Sequence, residues 1–126
     1  MAKIEAIKKW NKTPYQLVKG KRYCFSATGK WIDWYIDTDA KGFERKWLKP
    51  FELLKRFPSG KWFSLIGAID QDKSTQFDIG HLIEKQQAYT ATASGTLYCF
   101  ANDVPIAYYN NKGAIDIIVE EQCILQ

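Results

Sequence analysis

Thr96-Leu97-Tyr98-Cys99-Phe100-Ala101-Asn102-Asp103-Val104-Pro105-Ile106-Ala107-Tyr108-Tyr109-Asn110-Asn111-Lys112-Gly113-Ala114-Ile115-Asp116-Ile117-Ile118-Val119 reads as two strand-like runs joined by an oxygen-rich connection. The flanking runs are short, apolar and rich in β-branched and aromatic residues, as strands are. Between them Asp103 offers a carboxylate, and Asn110 and Asn111 offer amide oxygens. Calcium prefers this chemistry, taking about six to eight oxygens from carboxylates, amides, carbonyls and waters. The run Asn110-Asn111-Lys112-Gly113 also suits a tight turn, because Asn and Gly tolerate left-handed backbone angles. A turn alone does not account for Asp103, which ends the first run just ahead of Pro105.

Outward from this stretch, most runs alternate with a period of two and are bounded by Gly, Pro, Asn or Asp. Residues 22–27 read as a strand broken at Thr28-Gly29-Lys30, and residues 62–69 as a core strand with Phe63, Leu65 and Ile69 on one face. Residues 75–79 are extended up to Gly80, and residues 87–92 resemble an edge strand. Residues 2–10 fit either an opening strand or a short helix. Residues 31–49 lack clean periodicity and read as a long surface loop or lid, a kind of segment that is usually functional. Residues 50–57 suit a short helix with Pro50 near its first turn. Roughly eight short strands with little helix make an all-β fold, a jelly-roll-like two-sheet β-sandwich.

With 126 residues the chain, 1–126, is expected to be a single domain. Hydrophobic residues make up 46% and aromatics 15%, which excludes a disordered chain. The net charge of +4 comes from Lys and Arg scattered through the first half, among them Lys8, Lys9, Lys19, Arg22, Lys46 and Arg56. Nucleic-acid binding needs clustered basic residues, so none is expected. Cys24, Cys99 and Cys123 lie far apart without C-x-x-C spacing, and buried thiols are the expectation. No apolar run is long enough for a membrane span or a signal peptide, so the chain is expected to be cytoplasmic as synthesised, with export left to a route not written in its N-terminus.

Enzyme templates find no footing, and the chain is expected not to be an enzyme. His81 is the only histidine, with no Ser or Cys pattern nearby for nucleophilic catalysis. Asp33, Asp37, Asp39, Glu44 and Glu52 could pair for glycoside chemistry, but their spacing does not place them. Asp37-Thr38-Asp39-Ala40-Lys41-Gly42 opens like an EF-hand loop and then fails, with Lys41 and Leu48 where ligands are required. It reads as an acidic turn with Gly42 at its left-handed position.

The motif Asn102-Asp103-Val104-Pro105-Ile106-Ala107-Tyr108-Tyr109-Asn110-Asn111-Lys112-Gly113 resembles the calcium loop N-D-V-P-x-x-Y-x-N-N-x-G of the LecA-type calcium-dependent galactose-binding lectins, a family of bacterial jelly-roll proteins. Softer likenesses surround it at Ala27-Thr28-Gly29-Lys30-Trp31, Ser64-Leu65-Ile66-Gly67-Ala68-Ile69 and Ser94-Gly95-Thr96-Leu97. The resemblance implies a galactose-binding-domain-like sandwich and a cofactor, calcium. The ion would be held by the side chains of Asp103, Asn110 and Asn111 and by backbone carbonyls of Ala107 and Trp34. It further implies that the metal holds two adjacent hydroxyls of a galactoside or related sugar, with Asp103, Val104, Asn110 and Asn111 hydrogen-bonding the same carbohydrate. The family's His-Pro-x-Gln specificity pattern is replaced here by Lys49-Pro50-Phe51-Glu52, so Lys49 and Glu52 become the candidate polar partners of the sugar. A homo-oligomer fits the avidity by which lectins multiply weak sites. The alternative is a non-catalytic structural or protein-interaction sandwich that binds no sugar.

Overall fold

A strand whose apolar residues recur at every second position must have that face covered, and two such sheets covering one another are the simplest solution. The computed structural model describes residues 1–121, the side chains of Lys46 and Trp47 excepted. Its strands are β1 (Ala2–Glu5), β2 (Asn11–Leu17), β3 (Arg22–Asp33), β4 (Ile36–Thr38), β5 (Leu65–Ile69), β6 (Phe77–Asp78), β7 (Tyr89–Thr90), β8 (Gly95–Ala101) and β9 (Asn111–Glu121). One short helix, α1 (Ile79–Lys85), precedes β7, and three 3-10 segments, Lys46–Leu54, Lys73–Thr75 and Pro105–Asn110, lie in the connections. One sheet runs β1-β9-β3-β4 with β7 also paired to β3, and the other runs β2-β8-β5-β6. All these strand pairs are antiparallel. The fold is therefore the expected all-β, two-sheet sandwich.

The core fills the space between the sheets with Ile4, Leu17, Trp31, Leu65, Leu97, Ile115 and Ile117, each nearly or fully buried. Trp31 is the largest of them, and it is tied on both its polar and its apolar sides. Its Nε1 donates to the Phe63 carbonyl at 3.1 Å, and its ring meets the Phe63 ring edge-on at 5.8 Å between centroids. A buried indole needs such a partner for its N–H.

Several local expectations are corrected. The strand at residues 22–27 does not break at Thr28-Gly29-Lys30. It continues to Asp33, because Gly29 takes φ +99° while still paired with Ile115. Residues 31–38 are consequently not a loop but the end of β3, a turn at Trp34-Tyr35, and β4. Of residues 2–10 only Ala2–Glu5 form a strand, β1, and the rest turn toward β2. All five residues of β5 are buried, not only one face. The helix α1 occupies a segment expected to be broken at Gly80. Glycine is needed there because a Cβ would collide with the Ala40 carbonyl and the Ser64 hydroxyl, and Asp78 caps the helix by accepting from the His81 N–H at 2.9 Å. Pro50 lies inside its 3-10 segment. The acidic turn behaves as expected: Asp39 accepts from the Lys41 N–H and Gly42 has φ +80°.

Of the cysteines, Cys99 is a buried free thiol. Cys24 is only partly buried and is disulfide-bonded, contrary to the expectation of a thiol. Cys123 lies outside the described residues. Among the described residues no helix is long and apolar enough to cross a membrane.

Candidate functional site

Three inward-facing rows of side chains end in oxygen-bearing residues at the same end of the sandwich. On β8, Leu97, Cys99 and Ala101 are fully buried, and the next alternate position is Asp103, 2% exposed. On β3 the row passes from Trp31 to Asp33. On β9 it passes from Ile117 and Ile115 through Gly113 to Asn111, 1% exposed. Antiparallel register sets Trp31 opposite Gly113 and Asp33 opposite Asn111, and directly opposed residues project their side chains on the same face as neighbours. Gly113 carries φ +82°, and a Cβ there would stand 3.1 Å from the Trp31 Cα. The glycine thus lets β9 close on the buried tryptophan.

Because β8 and β9 belong to different sheets, the connection between them is not a hairpin. It crosses the open end of the sandwich, with Pro105 starting the 3-10 segment Pro105–Asn110. The Trp34 N–H donates to the Asn110 carbonyl at 3.3 Å, bringing the tip of the β3–β4 turn against this connection.

Three of the oxygens gathered here lack a hydrogen-bond donor. Asp103 Oδ1 accepts from the Val104 N–H at 2.8 Å, but Oδ2 is buried and accepts nothing. Asn111 Nδ2 donates to the Ala6 carbonyl at 3.0 Å, which fixes the amide so that its Oδ1 is the atom left over. That Oδ1 and Asn110 Oδ1 are likewise buried without a partner. Each unsatisfied buried acceptor costs about 1–3 kcal/mol, so three in one place need something to bind. Burial raises the Asp103 carboxyl above the usual carboxylate range, with the Val104 N–H and then the neighbouring Asn111 side chain opposing it. Burial, and then the nearby Asp103 charge, push Asp33 up to about 7. The donor set is two carboxylates and two amide oxygens. Among the described residues no three His, Cys, Asp or Glu side chains gather as a metal site, so any ion here would depend on the amides.

A cavity of about 410 Å³ opens over these groups. Asp33, Asp103 and Asn110 bring its polar groups, while Trp34, Val104, Ala107, Phe51, Leu54, Trp62 and Ile106 are among the residues of its mostly apolar wall. Trp34 has φ +57° and a side chain 65% exposed at the rim. Tyr109 is 80% exposed on the 3-10 segment. Lys49 and Glu52 stand apart from this cavity. They line a separate depression with Glu44 and Arg45, and Glu52 approaches the buried Lys55 ammonium at 3.8 Å. His81 is exposed on α1 in a third depression, with Asp78 and Glu84.

Of the residues singled out from the sequence, the structure brings Asp103, Asn110, Asn111, Ala107, Val104 and Trp34 to one end of the sandwich and leaves Lys49 and Glu52 apart; it adds Asp33, which the sequence offered only as one of five scattered acids. The missing signal was the phase of alternation: Asp33 is two residues beyond the buried Trp31. Arg56 was also missed. Its guanidinium lies 3.5 Å from the Phe100 ring centroid and 4.7 Å from that of Trp10, and it donates to the Tyr108 hydroxyl at 3.0 Å.

No family model matches the chain, and no match is found among curated protein sequences. Among solved structures, the chain is similar to the EclA N-terminal domain, described as a PllA-like lectin, with a TM-score of 0.65 and 18% sequence identity. The likeness covers 96% of this chain and 94% of that one. At that identity it establishes a common fold.

Proposed function

We propose that the protein is a non-enzymatic, calcium-dependent carbohydrate-binding domain. The observation that carries the reading is the convergence of three buried, unpartnered oxygens, Asp103 Oδ2, Asn110 Oδ1 and Asn111 Oδ1. Oxygen donors of this kind fit a hard divalent cation, and the Trp34 and Ala107 carbonyls would complete the protein's share. A bound calcium would supply open coordination positions to two adjacent hydroxyls of a sugar. Asp103, Val104, Asn110 and Asn111 would then orient that diol by hydrogen bonds, and the exposed Trp34 and Tyr109 rings offer faces for the apolar side of a pyranose. The described lectin neighbour supports carbohydrate as the ligand class. A galactoside is the specific candidate, drawn from the motif alone, and Lys49 and Glu52 would act only at the outer reach of a longer glycan. An assembly of several copies would raise the avidity of such a site, and the disulfide at Cys24 favours a life outside a reducing compartment.

Calorimetry with a panel of galactosides and other monosaccharides, with and without calcium, tests this reading. Sugar binding that disappears on chelation is the expected result; a panel that binds nothing in calcium would sink it. A second reading has its own support in exposed apolar groups at the cavity: Ile106 and Trp34 are 87% and 65% exposed, and Tyr35 packs edge-on against Trp34. Clustered exposed apolar groups often mark protein-interaction surfaces, so a calcium-stapled module without sugar binding is the alternative.

A further inference from the structure

Asp33 belongs to none of the ligand positions that the sequence motif supplies, yet it is built into the same place. It is the register partner of Asn111 across β3 and β9, so its side chain leaves the sheet beside the Asn111 amide and on the same face. It lines the cavity together with Asp103 and Asn110. Among the described residues its carboxylate receives no hydrogen bond and no ion pair, although it is partly buried. Beside it, Asp103 and Asn111 are both at least nine-tenths buried with an unpartnered oxygen each.

We infer that Asp33 is a second carboxylate ligand of the cation site, giving this chain a centre of two carboxylates and two amides that a divalent ion exactly neutralises in charge. This rests on the calcium reading and adds to it. A site with one carboxylate keeps a net positive charge when loaded and attracts acidic sugars, whereas a neutral loaded site favours uncharged diols. Ligand charge also sets affinity in oxygen sites. In the empty site two carboxyl groups share one place without a counter-charge, which disfavours ionising both, so removing one is not expected to cost stability.

The experiment is a calcium titration by calorimetry of the wild type, Asp33→Asn and Asp37→Asn, with melting temperatures of each in chelator and in calcium. Asp37 is an exposed acid on neighbouring β4 and controls for general surface charge. The expected result is calcium binding at least about tenfold weaker in Asp33→Asn, unchanged in Asp37→Asn, and a chelated Asp33→Asn that melts no lower than the chelated wild type. That last readout separates ligand loss from misfolding. A wild type that binds calcium while Asp33→Asn matches it within about twofold overturns this inference and leaves the metal reading standing. Equal weakening in both variants also overturns it, assigning the effect to long-range charge. A wild type that binds no calcium at millimolar concentration removes both together.

Discussion

The side chain of Asn102 grips both backbone groups of Phe57. Its Oδ1 accepts from the Phe57 N–H at 2.9 Å, and its Nδ2 donates to the Phe57 carbonyl at 2.8 Å and to the Lys61 carbonyl at 3.0 Å. Asn102 is fully buried, so the residue just before Asp103 fastens the segment that walls the cavity to the end of β8. Asn102→Ala would leave these backbone groups unpaired and is expected to cost about 2–4 kcal/mol. The check is the urea midpoint, and a midpoint equal to wild type would show that water replaces the amide freely.

Calcium should appear in stability as well as in titrations. A ligand bound only by the native state and present at a hundred times its Kd adds about 2.7 kcal/mol. The protein is expected to melt several degrees higher in calcium than in chelator, and Asp103→Asn is expected to abolish the difference. Scanning calorimetry in the two buffers decides it; identical curves for the wild type would count against the cation.

Arg56 joins the segment 46–60 to β8, to the β1–β2 connection and to the 3-10 segment Pro105–Asn110 through the rings of Phe100, Trp10 and Tyr108. A guanidinium is planar and weakly hydrated and stacks where an ammonium does not. Arg56→Lys is therefore expected to lose about 1–2 kcal/mol despite keeping its charge, and Arg56→Met is expected to recover part of that through packing alone. Paired denaturation curves would show it, and a lysine variant as stable as wild type would reduce the stack to simple charge.

Tyr108 gives the protein an alkaline limit. Burial holds its phenol up to about 12 from an ordinary 10.0, with Arg56 acting in the opposite direction. Between these values the unfolded chain releases a proton that the folded chain keeps, so stability present below about pH 10 is lost as pH rises toward 12. Tyr108→Phe should flatten that decline while costing about 1 kcal/mol at neutral pH, because the hydroxyl also donates to the Ala101 carbonyl. Denaturation at a series of alkaline pH values measures both effects.

Much of this molecule is legible before folding. The apolar runs at Thr96 to Ala101 and Ala114 to Val119 announce β8 and β9, and the oxygen-rich stretch between them announces the site. What escaped depended on partners distant in sequence. Gly29 reads as a break but serves as a twist within a strand paired to Ile115. Gly80 reads as a stop but sits in a helix capped by Asp78, where the Ala40 carbonyl leaves no room for a Cβ. Asp33 looks like one acid in an irregular stretch until pairing with Asn111 gives it a direction. The weakly periodic residues 46–60 concealed Arg56, whose role exists only once Phe100 and Trp10 are beside it.

The alternation that carries Trp31 inward also carries Asp33 inward, and this couples folding accuracy to assembly of the oxygen cluster. Side chains on a strand swap faces when pairing slips by one residue. A slip between β3 and β9 would therefore turn out the core tryptophan and dismantle the oxygen cluster in the same event. The buried indole acts as a proofreader for that end of the sandwich: a chain that has hidden Trp31 has also aligned Asp33 with Asn111. The segment 46–60 takes no part in that ladder, so the wall of the cavity can vary in sequence while the cluster beneath it stays tied to the fold.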